Sequence, residues 1–288
     1  MIDPVRLRED LDATAAALER RGVSREDVQR LADLEAERRE KIAAVDQARA
    51  EQKEASKAIG SASPEDRPAM IEEASRLKQA VSDLEASLDA ATRAFDEAIV
   101  GIPNLPHPDA PPGHEGDGVV VRTVGEMPTF DFDVKDHVDL LVESGALDLE
   151  RAAKVSGSRF FYLMGDAVKL EFGLVQYAMD IASRHGHLPV MVPTLVRREA
   201  MYGTGFLPTD EQQIFRTDDR DDLYLVGTSE VPLAGMHLDE IVEPPLRYVG
   251  YSPCYRREAG TYGKDTRGIL RVHQFEKVEL FSFVEPDD

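Results

Sequence analysis

From Ala74 to Ala98 apolar residues return at alternating spacings of three and four: Ala74, Leu77, Val81, Leu84, Leu88, Ala91, Phe95 and Ala98. That period is a heptad seam, and it predicts a long helix whose apolar stripe faces another helix. A patchier seam lies upstream at Leu31, Leu34, Ile42, Val45, Ala48, Ala55 and Ile59, with polar interruptions at Arg38 and Gln52. Ser24, with Asp27 three residues on, caps this second helix, which is expected to run to about Ile59. Gly60 to Pro64 form the turn, and Pro68 fixes the start of the next helix. Asp3-Pro4 and Gly22 bound a shorter leading helix. Two facing seams joined by a short turn make an antiparallel helical hairpin with little core of its own, which should project from a larger body.

The pattern changes at Ile99. Residues Ile99 to Gly118, IVGIPNLPHPDAPPGHEGDG, are dense in Pro and Gly and cannot continue the helix. They divide the chain into a helical arm over 1–100, a linker over 101–118 and a mixed domain over 119–288. His107 and His114 in the linker lack Cys or acidic partners at ligand spacing and read as loop residues. Beyond it the pattern predicts a strand at Val119–Val124, a helix from about Asp136, a strand at Arg159–Leu163 and an amphipathic helix over Asp166–His185. An apolar strand punctuated by Pro189 and Pro193 suits a sheet edge or an interface position. Short strands follow at Gln213–Arg216 and Leu223–Val226. Pro232 fits the first turn of a helix and disfavours helical angles at Val231, so Thr228, Ser229 and Glu230 should occupy the turn before it.

The last stretch predicts a long β-hairpin. Tyr248, Val249, Tyr251 and Tyr255 mark one arm, and apolar and polar residues alternate from Ile269 to Phe283 on the other. Gly260 and Gly263 lie in the loop between them. With side chains alternating between faces, Arg256 and Glu258 share one face, and Arg271, His273, Phe275, Lys277 and Glu279 form a row on the return arm. Arg suits bidentate contact with phosphate, and Phe offers a flat face to a planar ring. Phe275 and Glu279 would stand about 13 Å apart at about 3.3 Å per residue, roughly the span of a nucleotide joined to a small amino acid. The plainer alternative is the solvated face of an antiparallel sheet.

Composition narrows the classes. The chain has 288 residues and a net charge of −21, enough for two domains and too acidic for nucleic-acid binding by overall attraction. Its one cysteine, Cys254, excludes an internal disulfide and a Cys-cluster zinc site, and reads as a small packed residue. The start carries neither a signal sequence nor an Arg/Ser-rich presequence, and no apolar run reaches the length of a membrane span. A soluble, cytoplasmic product is therefore expected. Arg38, Arg39, Lys41, Arg49, Lys53 and Lys57 give one arm helix a basic side. Alone, that side reads more readily as a solvated coiled-coil face than as an RNA contact.

The string YRREAGTYGKDTRGILRVHQFEKVE closely resembles motif 2 of class II aminoacyl-tRNA synthetases, in the form used by seryl-tRNA synthetases. The linker phrase PNLPHPDAPPG, the TSE element at Thr228–Glu230 and the stretch HGHLPVMVPTLVRREAMYGTGFLP, similar to motif 1, extend the resemblance over the whole chain. It implies an α+β fold, with a helical hairpin before a class II antiparallel β-sheet domain with flanking helices, C-terminally incomplete. It also implies ATP-dependent activation of L-serine to seryl-adenylate and its transfer to tRNA(Ser), and to tRNA(Sec) as well. By resemblance Arg256 contacts the α-phosphate as the catalytic residue, Arg257 and Glu258 help hold ATP, Phe275 stacks on adenine and Val272 gives a backbone contact. Thr228, Ser229, Glu230 and Glu279 form the serine pocket. Lys264 and Arg267 are candidates for phosphate or tRNA contacts. The arm is implied to grip tRNA, with Arg38, Arg39, Arg49, Lys53 and Lys57 as candidates. The motif 1 stretch implies a homodimer, and Mg2+ is expected to accompany ATP, with no metal ligand identified in this chain.

The sequence ends soon after motif 2, before any motif 3, so the chain is expected to resemble the N-terminal portion of such an enzyme and to be catalytically deficient alone. A tRNA-binding fragment or paralogue is the alternative function. A ligase that charges a carrier protein is opposed by the presence of the arm and the lone Cys254.

Overall fold

A computed structural model describes residues 2–113, 115–260 and 268–285. The chain divides into two compact units, Met1–Gly125 and Glu126–Asp288.

The first unit is the helical arm. The leading helix is split: α1 (Pro4–Glu9) and α2 (Leu11–Glu19) meet at Asp10, whose non-helical backbone (φ −151°, ψ 69°) breaks the turn and whose carboxylate caps α2 by accepting from Ala13 N–H at 3.1 Å. Asp has low helix propensity because its side chain competes for backbone donors, and that preference wins here. Ser24 caps α3 (Arg25–Ser61), accepting from Asp27 N–H at 3.1 Å, a contact worth about 1 kcal/mol. α4 (Arg67–Val100) returns antiparallel to it, carrying the predicted seam on its covered face. The core sits at the base, where Ile2, Leu7, Ala15, Leu18, Val28, Leu31, Phe95 and Ile99 are buried together. Farther out the helices lean only on each other, and fewer residues there, Val45 and Val81 among them, are buried. One buried position in the α3 seam is a charge: Glu35, 2 % exposed, is paired with Arg39 at 3.3 Å and Arg8 at 3.7 Å. The linker folds back on this unit, with Arg21 donating to Asn104 O at 3.1 Å and Arg20 to the carbonyls of Pro108 and Ala110.

The strand expected at Val119–Val124 does not form. Those valines are exposed, and no other segment pairs with them among the described residues.

In the second unit Asp136 caps α5 (His137–Glu143), and β1 (Leu147–Asp148) leads into α6 (Leu149–Ser156). β1 pairs antiparallel with β2 (Tyr162–Leu163), which is shorter than the expected Arg159–Leu163 because Arg159 takes a left-handed φ of 65°. α7 (Asp166–Arg184) lies along a three-stranded sheet in the order β3 (Leu188–Met191), β6 (Leu246–Tyr255), β7 (Gln274–Phe283). β6 and β7 pair antiparallel from Leu246↔Phe283 to Tyr255↔Gln274, while β3 is an edge strand and runs parallel to β6. The return arm thus starts at Gln274, not Ile269, and leaves Arg271 and His273 outside the ladder.

A second core cluster of Val196, Met201, Leu207, Ile214, Tyr224, Val226 and Val231 lies under β4 (Leu195–Arg197), α8 (Arg198–Gly203), β5 (Leu223–Leu225) and α9 (Glu230–Gly235). The expected strand at Gln213–Arg216 is replaced by a 3-10 turn at Glu211–Gln213 and one bridge from Arg216 to Tyr224. Val231 is helical despite the following proline, and its complete burial in that core outweighs the local restriction. α9 packs on β6 at Gly250. A Cβ there would stand 2.9 Å from Leu233 Cδ1 and 3.1 Å from Ser229 Cβ, so glycine lets the two backbones approach.

Candidate active site

Three segments distant in sequence meet where β6 ends. Tyr255 N–H donates to Val226 O at 2.8 Å, tying the strand end to the turn before α9. Arg256 N–H donates to His273 O at 3.0 Å and Arg257 N–H to Gln213 O at 2.8 Å, which holds the chain as it leaves the ladder. The Gln213 amide then clasps Ala259 from both sides, donating to its carbonyl and accepting its N–H, each at 2.9 Å.

Arg256 and Glu258 do not share a strand face, since both lie beyond β6 and Glu258 takes a left-handed φ of 49°. Their placement comes from contacts. The Arg256 guanidinium lies 5.2 Å from the centre of the Phe275 ring and donates to Gly227 O from Nε at 3.3 Å and from Nη2 at 3.2 Å. A Cβ on Gly227 would stand 3.4 Å from Arg256 Cγ, so the glycine makes room for this arrangement. Glu258 is paired with Arg271 at 2.8 Å, and its carbonyl accepts from Arg159 at 3.2 Å. Arg159, Phe160, Arg257, Glu258, Arg271 and His273 line a cleft of 810 Å³. That size and this concentration of guanidinium groups suit an anionic ligand with a planar part.

Next to Gly227 the turn forms a second cluster. Thr228 Oγ1 donates to Glu279 Oε2 at 2.7 Å and accepts from Lys277 Nζ at 3.0 Å and from Glu230 N–H at 3.2 Å. Lys277 also forms an ion pair with Glu279. Lys277 and Glu279, two residues apart on β7, therefore project to the same face as Phe275. Ser229 behaves differently. It is wholly buried, and its hydroxyl pairs with that of Ser252 at 2.8 Å, so it braces the turn from inside instead of lining the pocket. Cys254 lies beside Ser252, and burial pushes its thiol pKa up. Val272 is 6 % exposed, which leaves its backbone as the part able to meet a ligand. Lys264 and Arg267 lie outside the described residues.

The opposite face of β7 carries an acidic pair that the sequence reading missed. Glu171 on α7 and Glu276 line an apolar groove of 370 Å³ with Leu170, Leu174 and Val278. Burial, and next the charge of Glu276, raise the pKa of Glu171. Tyr251 is pushed up to about 12, by burial and then by its contacts with Glu276. The bracing roles of Gln213, Arg159 and Ser252 were also missed; they rest on tertiary contacts that leave no spacing signal. The pairing of Lys277 with Glu279 was detectable, since i and i+2 share a strand face.

In the arm, the five candidate tRNA contacts are varied. Arg38 lies 5.0 Å over the Phe95 ring, while Arg39 pairs with Glu35, Arg49 with Glu85 at 2.7 Å and Lys57 with Glu54 at 2.7 Å. Lys53 is exposed. Arg38 is thus drawn toward the helix seam and the others face outward.

Residues 1–106 match the Seryl-tRNA synthetase N-terminal domain, and residues 214–288 match the tRNA synthetase class II core domain (G, H, P, S and T). A serine–tRNA ligase of Corynebacterium glutamicum is 48% identical over 291 residues, spanning 100% of this chain and 68% of that protein. One of Nocardia farcinica is 49% identical over 290 residues, spanning 100% of this chain and 69% of its own length. Among solved structures, seryl-tRNA synthetase from Pyrococcus horikoshii complexed with ATP superposes with a TM-score of 0.86 at 35% identity, covering 100% of this chain and 70% of that one. Cytoplasmic serine-tRNA ligase from Naegleria fowleri in complex with AMP gives 0.83 at 27% identity, covering 100% and 68%.

Proposed function

Since the chain belongs to the seryl-tRNA synthetase family, we propose that it activates L-serine with ATP to seryl-adenylate and pyrophosphate, and transfers serine to tRNA(Ser) and tRNA(Sec). The observation that carries this reading is the junction at Gly227. On one side the Arg256–Phe275 pair offers a cation and a flat ring, and on the other Thr228 is bonded to Glu279. A phosphate anhydride with a purine fits the first, and a small hydroxy amino acid fits the second.

In this mechanism the serine carboxylate attacks the α-phosphorus of ATP and pyrophosphate leaves. Positioning and charge stabilisation drive such a step, with no protein nucleophile. Arg256 turns from the Gly227 carbonyl to the α-phosphate, Arg257 and Glu258 hold ATP in the cleft, Phe275 stacks on adenine and the Val272 backbone meets the base. Glu230 receives the ammonium beside Thr228, and Glu279 accepts a hydrogen bond from the serine hydroxyl. Ser229 supports this pocket through its buried bond to Ser252. A site built for a hydroxyl rejects alanine because its polar groups are left unpaired. Magnesium belongs in this reading with the ATP phosphates: among the described residues no group of three or more His, Cys, Asp or Glu side chains is arranged to hold a metal ion.

The arm is the tRNA-binding part of the reading. The exposed ion pairs of Arg49 and Lys57 are of a kind worth about 0–1 kcal/mol, so a phosphate readily replaces their carboxylate partners. Lys53, Arg39 and Arg38 complete the candidate set. A homodimer is proposed through the motif 1 region, supported by exposed Leu170, Phe172, Leu174 and Tyr177 on α7 and Met191 on β3. Among the described residues no helix is long and apolar enough to cross a membrane, and a cytoplasmic location accords with the proposed chemistry.

Serine-dependent exchange of labelled pyrophosphate into ATP tests the reading. Exchange with serine and not with threonine, alanine or glycine, lost in Arg256→Ala, would support activation by this chain. A folded chain that binds tRNA and gives no exchange would replace activation by the tRNA-binding function alone.

A further inference from the structure

Lys277 is the one member of the Thr228 cluster to which the proposed function gives no task. Its ammonium is not idle: it donates to Thr228 Oγ1 at 3.0 Å and pairs with Glu279, whose Oε2 accepts from the same threonine at 2.7 Å. With Glu230 N–H also donating to it, the Thr228 hydroxyl has its single donor and both acceptor positions engaged. The Thr228 hydroxyl is therefore already saturated, and the cation that helps to saturate it belongs to the protein.

The geometry points to Lys277 as an internal counter-cation that sets the charge selectivity of the amino-acid pocket. This inference rests on the serine-pocket reading and deepens it. Within the cluster Lys277 neutralises Glu279, so on the serine-pocket reading the Glu230 carboxylate is the negative charge left to meet one substrate ammonium. Arg256, turned to the Gly227 carbonyl, is reserved for phosphate. With Lys277 present, the Glu279 end of the pocket accepts a neutral hydroxyl and disfavours a second ammonium, because like charges set side by side in a partly desolvated site repel strongly. Lys277 is only partly exposed, at 32 % of its side chain, and Glu279 at 19 %, so solvent does not screen the effect away. The class taken is thus a small amino acid with one cationic group and a hydroxyl, and the class excluded is its diamino analogue.

L-2,3-Diaminopropionate replaces the serine hydroxyl by an amine and is the discriminating probe. Binding of serine and of diaminopropionate is measured by titration calorimetry on the full chain, at a pH low enough to protonate both amines, for the native protein, Lys277→Met and Lys277→Arg. The ratio of the two affinities in Lys277→Met is expected to shift toward diaminopropionate by at least about tenfold, while Lys277→Arg keeps the native preference for serine. Circular dichroism checks that both variants fold, and the charge-retaining Arg variant separates charge from packing. If the native chain binds serine but the ratio is the same in Lys277→Met, Lys277 does not set selectivity and the inference fails alone. If Lys277→Arg shifts as far as Lys277→Met, charge is not the cause and the inference also fails. If the native chain binds no serine, the serine-pocket reading fails and this inference goes with it.

Discussion

The helical arm and the site around Gly227 are built on opposite principles. Beyond the base of the arm, nearly every side-chain contact joins residues one turn apart or residues facing each other across one hairpin. In the second unit, Thr228 reaches Glu279 51 residues away, and Gln213 reaches Ala259 46 residues away. The arm tolerates a buried charge in its seam, Glu35 between Arg8 and Arg39, and a seam that thins toward the tip. The site tolerates less, because its groups are placed by close backbone approach at Gly227 and Gly250. A periodic structure localises damage, whereas a site assembled from distant segments passes a small displacement to every group it holds.

Leu18→Ala should show the largest effect. Leu18 is fully buried at the base of the arm, and the resulting cavity is expected to cost about 2–5 kcal/mol. Urea denaturation followed by circular dichroism should show it, with serine binding unchanged; a parallel loss of serine binding would break the contrast between the two regions. Gly250→Ala comes next. Its methyl would meet Leu233 at 2.9 Å and Ser229 at 3.1 Å, and overpacking of this kind costs about 1–3 kcal/mol. Here serine affinity should fall along with stability, since α9 carries the Thr228 turn. Retained affinity would show that the turn is placed independently of the helix.

Much of the arm was legible because its information is local. The α4 seam, the Ser24 cap and the turn before Pro68 follow from a period of three and four and from capping chemistry. The break at Asp10 was missed because the leading helix was bounded at its ends without weighing an interior Asp as a cap. In the second unit the β6–β7 hairpin and the position of the Thr228 turn were legible from alternation and from Pro232. The strand expected at Val119–Val124 failed because apolar, β-branched residues make a strand only with a partner. Ser229, expected in the serine pocket, has its hydroxyl bonded to the buried Ser252, and a hydroxyl in a turn carries no sequence sign of which way it faces.

Glu171→Gln gives the smallest and most specific effect. A raised carboxylate pKa means that the folded state binds the proton more tightly than the unfolded state. The stability gained from that proton is complete below the ordinary carboxylate range and is lost as pH rises through the elevated folded value. Gln imitates the protonated form. The variant should therefore be slightly more stable at neutral pH, within about 0.5 kcal/mol because the site is only partly buried, and indistinguishable from the native chain in acid. Thermal melts across pH check this, and a neutral-pH loss would show that Glu171 is held by a favourable partner.

The central claim is that Thr228 and Glu279 form a pocket for serine beside the Arg256–Phe275 pair. Calorimetric binding of a non-hydrolysable seryl-adenylate analogue and of its alanyl counterpart tests it most directly. The account predicts tighter binding of the seryl compound by at least about a hundredfold, a margin that collapses in Glu279→Gln. Equal affinity for the two analogues, or a margin untouched by that substitution, would contradict it.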